Sequence, residues 1–477
     1  MTLERQTLTA LKWSAGGRIA TQAVTWLVTL VVIRLLQPAD YGLMALVSVV
    51  LSVATYLADF GLGQALVQAP SLDNELRAKL AGLVIVLHLS LGAVVALAAP
   101  LVALATKEPR LTALIQVASL QFVCLALGAV QQALAMRALD FKRLARIDLL
   151  NAATGGLATL ALAASGSGIW SLVLGNLVGA LVRGIALLAT GELVRPHFSF
   201  IGLRERVAYG SRVATSQLTW LVVSQSDVLI GSRLMSAAAL GAYSVGLNLA
   251  TLPMQKLMAI VNQVGFSALA RLQAEPERFR QRLLLAARVL AVVGVPVAWG
   301  ISAVAPEIVT IALGEKWHVA IVPLQLASLV VPLRMVVALF NTAVAAVGRA
   351  ATDLRNSMVS MIVWPCSFAI GAHWQAEGLA AAWLLAIPVT FAVNFPRTSR
   401  ALGMHFREIG KALRVPLAAG LVMYGAVVAT RMMMINTDPL LRLVVLVASG
   451  AVVYLGAVTV LDRSVWRELR RLVIADA

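Results

Sequence analysis

Apolar runs of membrane-spanning length recur from residue 14 to residue 461, and they constrain the fold more than any other feature. The hydrocarbon core of a bilayer takes roughly 20 helical residues to cross. Fourteen helical spans are predicted, at about 14–36, 41–67, 80–103, 111–136, 148–164, 168–190, 207–231, 236–263, 283–304, 317–340, 354–371, 376–396, 413–430 and 440–461. Composition agrees: 60% of residues are hydrophobic and 13% charged, against about 25% charged in a soluble domain. The predicted fold class is an all-α polytopic membrane protein.

The net charge of +17 raises the question of nucleic acid. Its distribution answers it. With the N-terminus in the cytoplasm, the basic stretches RALDFKRLAR (137–146), RLQAEPERFRQR (271–282) and RTSRALGMHFREIGKALR (397–414) all fall on the cytoplasmic side. The opposite loops hold Lys107, Arg110, Arg233, Lys316 and Arg431. This is the positive-inside asymmetry, with both termini cytoplasmic. It accounts for most of the basic charge without nucleic acid and makes anionic membrane lipids the partner of those loops. The first span follows a polar stretch, is longer than a signal-peptide core and runs into Arg34 with no small-residue cleavage site, so it is expected to be retained. Cys124 and Cys366 lie within spans, where packing is the expected role and no extracellular disulfide is implied. The tail DRSVWRELRR (462–471) has the pattern of an interfacial amphipathic helix.

The chain repeats itself. RIATQAVTWLV (18–28) and RVATSQLTWLV (212–222) share seven of eleven residues, both starting on an arginine within an apolar run. RLLQPADYG (34–42) echoes RLMSAAALG (233–241), placing Arg34 over Arg233 and Gly42 over Gly241. Six spans separate the starts of the two copies, so they share orientation. This predicts a parallel repeat of two six-helix lobes, residues 1–200 and 201–400, with accessory helices 13 and 14 and a basic tail in 401–477.

Such repeats place the substrate path between lobes near mid-membrane. Polar residues on the repeat-bearing helices fall on single faces. Helix 1 carries Arg18, Gln22, Thr25 and Thr29; helix 2 carries Ser48, Ser52, Thr55 and Asp59. Helix 7 carries Arg212, Ser216, Thr219, Ser226 and Asp227, and helix 8 carries Ser244, Asn248, Thr251, Gln255 and Asn262. A single Ser or Thr here more often bonds back to its own helix or across a helix contact. An ionisable group is more telling, because a charge at the bilayer centre costs roughly 3 kcal/mol or more. Arg18 and Arg212 are expected to line a cavity, with snorkelling as the alternative. Asp59 is read as either an ion-pair partner or a coupling-ion site; Asp227 is expected to pair, with Arg233 nearby. Lys256 is expected to snorkel. His88 is expected to be a satisfied core histidine, and Arg183, Arg288 and Arg334 to be either buried pairs or substrate contacts. Pro253, Pro296, Pro332, Pro365 and Pro388 lie inside spans and are expected to kink them.

No GxxxxGK[ST] loop is present, which argues against ATP hydrolysis. No Cys/His cluster has metal-ligand spacing, and neither a metal nor another cofactor is expected. The longest outward loop, about 305–316, has no room for the acid–base apparatus of a glycan polymerase or ligase.

LKWSAGGRIATQ, IRLLQPADYGLMAL, ADFGLGQALVQ, LDFKRLARID and SDVLIGSRLMSAAALGAYSVGLNLAT together resemble the polysaccharide transporter family, the Wzx-type flippases, especially its colanic acid exporter-like branch. The resemblance is strong over helices 1–8 and rests mainly on helix count beyond about residue 270. It implies two lobes enclosing a cationic cavity. It also implies alternating-access movement of undecaprenyl-pyrophosphate-linked oligosaccharide across the bacterial inner membrane, in a pathway with polymerase and export machinery as candidate partners. The implied anion-binding residues are Arg18 and Arg212, then Arg34. Arginine suits phosphate because its planar fork donates two parallel bonds and stays charged. Asp59 and Asp227 are the candidate coupling-ion carboxylates. The rival readings are a lipid II-type flippase, a small-molecule exporter of the same superfamily, and a membrane glycan polymerase or ligase.

Overall fold

The computed structural model describes residues 3–59, 74–199, 221–260 and 275–463. Among these the chain is helical, connected by short turns and one extended segment. It divides into two compact units, Met1–Arg233 and Leu234–Ala477.

The first unit opens with α1 (Leu3–Leu35) and α2 (Pro38–Asp59). It continues through α3 (Asn74–Thr106), α4 (Arg110–Ser119), α5 (Gln121–Arg137), α6 (Phe141–Ala164) and α7 (Ile169–Thr190). The predicted fourth span is thus two helices, broken at Leu120 with no proline or glycine to announce it. Three small cores hold the unit. Leu80, Ala81 and Val84 of α3 meet Val130 and Ala133 of α5. Ala135 meets Leu144, Ile147 and Leu187, and Val32 and Leu36 meet Ala163. Helix α6 packs against both α1 and α7. In a membrane, with no solvent to drive apolar faces together, helices gain by close approach across small residues. A Cβ on Gly155 would stand 3.1 Å from the Gly175 carbonyl oxygen and 3.2 Å from Gly179 Cα; one on Gly156 would stand 2.9 Å from Val28. The chain leaving α7 is tied down along α3: Arg77 pairs with Glu192 at 2.7 Å, and the His197 N–H donates to the Ala78 carbonyl at 2.8 Å.

The unit boundary falls inside α8 (Ser226–Leu234). The second unit contains α9 (Ala237–Ile260), α10 (Pro276–Ala303), α11 (Ala305–Ile308) and α12 (Ile321–Ala346). It ends with α13 (Ala350–Gly371), α14 (Gln375–Leu402), α15 (Phe406–Met433) and α16 (Pro439–Leu461). Helix α12 packs on α9, α10 and α14, while α15 lies against α10 and α16 through Val295, Ala419, Met423, Val427 and Leu446. Asp438 starts α16 as its N-cap, accepting the N–H groups of Leu440 and Leu441 at 2.9 and 3.1 Å, with Pro439 in the first helical turn.

Eleven segments of the described residues are long and apolar enough to cross a membrane. One of them, Ala351–Leu402, holds both α13 and α14, separated by the 3-10 turn Ala372–Trp374. Helix α1 adds a shorter apolar stretch, Ala20–Leu35, and the predicted seventh span lies mostly outside the described residues. Outward-facing leucines and valines follow from a lipid solvent: Leu97 and Leu104 are 78% exposed and Val460 84%. The protein is a multi-pass membrane protein.

The repeated turn is visible in the backbone. Helix α1 ends at Leu35 and α2 begins at Pro38; α8 ends at Leu234 and α9 begins at Ala237. Two residues intervene each time, and each copy uses one half of a capping box. In the first, the Asp40 carboxylate accepts the Gln37 N–H at 3.0 Å; in the second, Ser236 Oγ accepts the Ala239 N–H at 3.2 Å.

One expectation needs correction: Cys366 is exposed on α13 and is not a packing residue, although Cys124 is buried. The five prolines lie inside α9, α10, α12, α13 and α14, as expected from their positions within spans.

Candidate functional site

Helices α1, α6 and α7 form an open polar cavity of about 270 Å³. Helix α1 contributes Thr21, Thr25 and Thr29, spaced every four residues on one face. Helix α6 contributes Asn151, Gly155 and Thr159 at the same spacing, and α7 contributes Gly175, Asn176 and Gly179. Tyr41 of α2 and the apolar Val28, Val32 and Leu172 complete the wall. The glycines have two effects here. They let α6 and α7 approach, and they leave room beside the polar side chains: a Cβ on Gly175 would collide with Thr159 Oγ1, and one on Gly179 would stand 2.6 Å from Asn151 Oδ1.

The hydroxyls are unequal. Thr25 Oγ1 donates to the Thr21 carbonyl at 2.9 Å and Thr159 Oγ1 to the Gly155 carbonyl at 2.8 Å, the backward bonds expected of threonine in a helix. Thr21 Oγ1 is buried and makes no hydrogen bond among the described residues. No described lining side chain bears a formal charge at neutral pH. The described lining therefore combines amide and hydroxyl groups, able both to donate and to accept, with apolar side chains.

Of the residues singled out in the sequence, Thr25 and Thr29 line this cavity. Gln22 is half-buried on α1 and has a polar partner. Arg34 is exposed in the last turn of α1, where a cation is favoured by the carbonyl end of the helix. Asn248 and Gln255 are exposed on α9, below the buried Ser244, and Thr251 Oγ1 bonds back to the Leu247 carbonyl at 2.9 Å. Asp227 is 1% exposed, and its Oδ1 accepts the Val228 N–H at 2.8 Å. Arg212, Ser216, Thr219 and Asn262 lie outside the described residues, as do the side chains of Arg18, Asp59 and Lys256.

The other intramembrane cations find partners. Arg183 Nε donates to Asp148 at 3.0 Å and its Nη1 to Gln132 Oε1 at 3.1 Å. Arg288 pairs with Asp462 at 2.6 Å, and the Arg334 guanidinium lies 4.3 Å above the Trp383 ring. His88 is buried and its Nδ1 donates to the Val84 carbonyl at 2.8 Å, as expected of a core histidine. Asn151, Thr159 and Asn176 were missed by the sequence reading, which followed polar stripes only on the repeated helices. The four-residue spacing of Asn151, Gly155 and Thr159 was the available signal.

The fold is that of an α-helical polytopic membrane protein. It is similar to a lipid II flippase, MurJ, in an inward closed conformation, with a TM-score of 0.73 at 12% identity over 94% of this chain and 99% of that one. It is also similar to a multidrug resistance MATE family transporter of the MOP superfamily in its inward-facing conformation, with a TM-score of 0.63 at 15% identity over 80% and 95% of the two chains. At those identities the likeness concerns the fold. The chain belongs to the polysaccharide biosynthesis protein family, whose model matches residues 31–322. It is 25% identical over 421 residues to the lipopolysaccharide biosynthesis protein WzxC of Escherichia coli K12, covering 87% of this chain and 86% of that one. It is 25% identical over 474 residues to the succinoglycan biosynthesis transport protein ExoT of Rhizobium meliloti, covering 96% and 93%. The teichuronic acid biosynthesis protein TuaB of Bacillus subtilis is 25% identical over 84% of both chains.

Proposed function

We propose that this chain is a flippase that moves polyprenyl-pyrophosphate-linked oligosaccharide from the cytoplasmic to the periplasmic leaflet of a bacterial inner membrane, by alternating access and without an enzymatic step. One observation carries the reading: near-full-length similarity to a polysaccharide transport protein in a chain with a lipid-flippase fold. The physics of the cargo supports it. A glycan headgroup cannot enter hydrocarbon unaided, whereas its polyprenyl tail can remain in lipid. Outward movement of an anion is assisted by an inside-negative potential, by about 2.3 kcal/mol per charge per 100 mV. In this reading Arg18 and Arg212 meet the pyrophosphate, the lobes are 1–200 and 201–400 with accessory helices in 401–477, and both termini are cytoplasmic.

Deletion of the gene in its own host tests the reading. The expected result is loss of exported polymer with lipid-linked units accumulating where an externally added, membrane-impermeant glycan oxidant does not reach them. Arg18→Ala and Arg212→Ala are expected to abolish export at normal membrane abundance, with partial recovery in the lysine variants. Undiminished polymer export in the deletion strain overturns the assignment. Normal export by both alanine variants moves the anion contact to other cations.

A further inference from the structure

We infer that the cavity between α1, α6 and α7 is a subsite for an uncharged sugar ring of the cargo, separate from whatever holds its pyrophosphate. The inference rests on the flippase reading and adds a place and a chemistry to it.

Size comes first. At about 270 Å³ the cavity lies at the lower edge of small-molecule pockets, which run from roughly 300 to 1,000 Å³. It is suited to one pyranose ring and too small for an extended oligosaccharide. Composition follows. Sugar hydroxyls each donate and accept, so a matching wall needs groups that also do both. Asn151 and Asn176 supply amides with two donors and an acceptor, and the α1 threonines supply hydroxyls. Tyr41 and the valines offer apolar surface for the ring's C–H face.

Thr25 and Thr159 spend their hydroxyl protons on their own helices, so on this wall the amides of Asn151 and Asn176 supply donors to a ligand. The described lining is hydroxyl, amide and apolar, which suits a neutral hydroxylated ring. The glycines matter in the same way, because side chains at 155, 175 or 179 would occupy the space beside the amides.

The test uses the full chain in lipid nanodiscs and saturation-transfer NMR with methyl gluco-, galacto- and mannopyranosides, with inorganic pyrophosphate as competitor. At least one glycoside is expected to bind saturably, and pyrophosphate is expected to leave it bound. Asn151→Leu and Asn176→Leu preserve volume while removing hydrogen-bonding groups. Each is expected to weaken glycoside binding about tenfold, the scale of one lost hydrogen bond, and to reduce polymer export with unchanged thermal melting. No saturable glycoside binding, displacement by pyrophosphate, or wild-type binding in both variants overturns the subsite. If polymer export still depends on the chain in that event, the flippase reading stands alone. If export is independent of the chain, that reading falls, whatever the glycosides do.

Discussion

Glu307 is 1% exposed and is held by Arg431 of α15, whose Nε and Nη2 donate to its two carboxylate oxygens at 3.1 and 3.0 Å. Arg442 of α16 adds a second guanidinium at 3.1 Å, and Arg431 also donates to the Ala303 carbonyl. One carboxylate on the short helix α11 thereby anchors both accessory helices to α10 and α11. Breaking a buried pair by removing one partner leaves an uncompensated charge, at a cost of about 3–5 kcal/mol. Both arginines remain about one-fifth exposed, so the low end applies. Glu307→Ala is expected to destabilise the purified protein by about 3 kcal/mol. Arg442→Ala should cost less than Arg431→Ala, because Arg431 makes the bidentate contact. Thermal melting in detergent reads all three, and equal stability of Glu307→Ala and the parent contradicts the anchor.

Arg183 and Asp148 form the corresponding pair in the first unit, joining α7 to α6, with Gln132 of α5 as a third member. Here the charges compensate each other, so the expected signature is coupling. Arg183→Ala and Asp148→Ala should each lower membrane abundance, while the double variant should recover much of the loss. A double-mutant cycle on abundance and melting is expected to give an interaction of about 1–3 kcal/mol. Additive losses would show that the two residues act separately.

The spans were legible in the sequence because hydropathy integrates over some twenty residues, and local irregularity does not erase it. The repeated turn was legible too, since its residues act locally: Asp40 and Ser236 each cap the helix that follows. The ion pairs were not. Glu307 and Arg431 are 124 residues apart and Arg288 and Asp462 are 174 apart, so only the packed fold selects them from the other charges. The cavity was half legible. Thr25 and Thr29 stood on a visible stripe, whereas Asn151 and Asn176 lie on helices outside the repeat's motifs.

Glycine positions separate packing from propensity. A Cβ on Gly175 would collide with the side chain and Cα of Thr159, whereas one on Gly425 or Gly456 meets nothing within 4 Å. Gly175→Ala is expected to lower thermal stability by about 1–3 kcal/mol, the range for overpacking a well-fitted contact. Gly425→Ala, within α15, is expected to be neutral or stabilising by up to about 1 kcal/mol, since alanine is the better helix former. Melting temperatures of the two variants side by side check the contrast. Equal losses would mean that α6 and α7 do not pack as closely as these contacts require.

Trp383 concentrates several interactions of the second unit at one indole. It is 1% exposed on α14, with Trp364 edge-on at 5.2 Å, Phe368 tilted at 4.8 Å and the Arg334 guanidinium over its ring. Its Nε1–H donates to the Tyr243 hydroxyl of α9 at 2.8 Å. Tyr243 is itself fully buried, so the indole N–H has no water to turn to if that oxygen is removed. Tyr243→Phe keeps the ring and deletes only the acceptor. The expected cost is about 1–3 kcal/mol, the desolvation penalty of an unsatisfied buried donor. Trp383→Phe also removes the donor, relieving that penalty while opening a cavity beside Trp364. The combination Tyr243→Phe with Trp383→Phe is therefore expected to be less destabilised than the sum of its parts. Thermal melting of the two single variants and the double measures this directly, and strict additivity would contradict a hydrogen bond between α9 and α14.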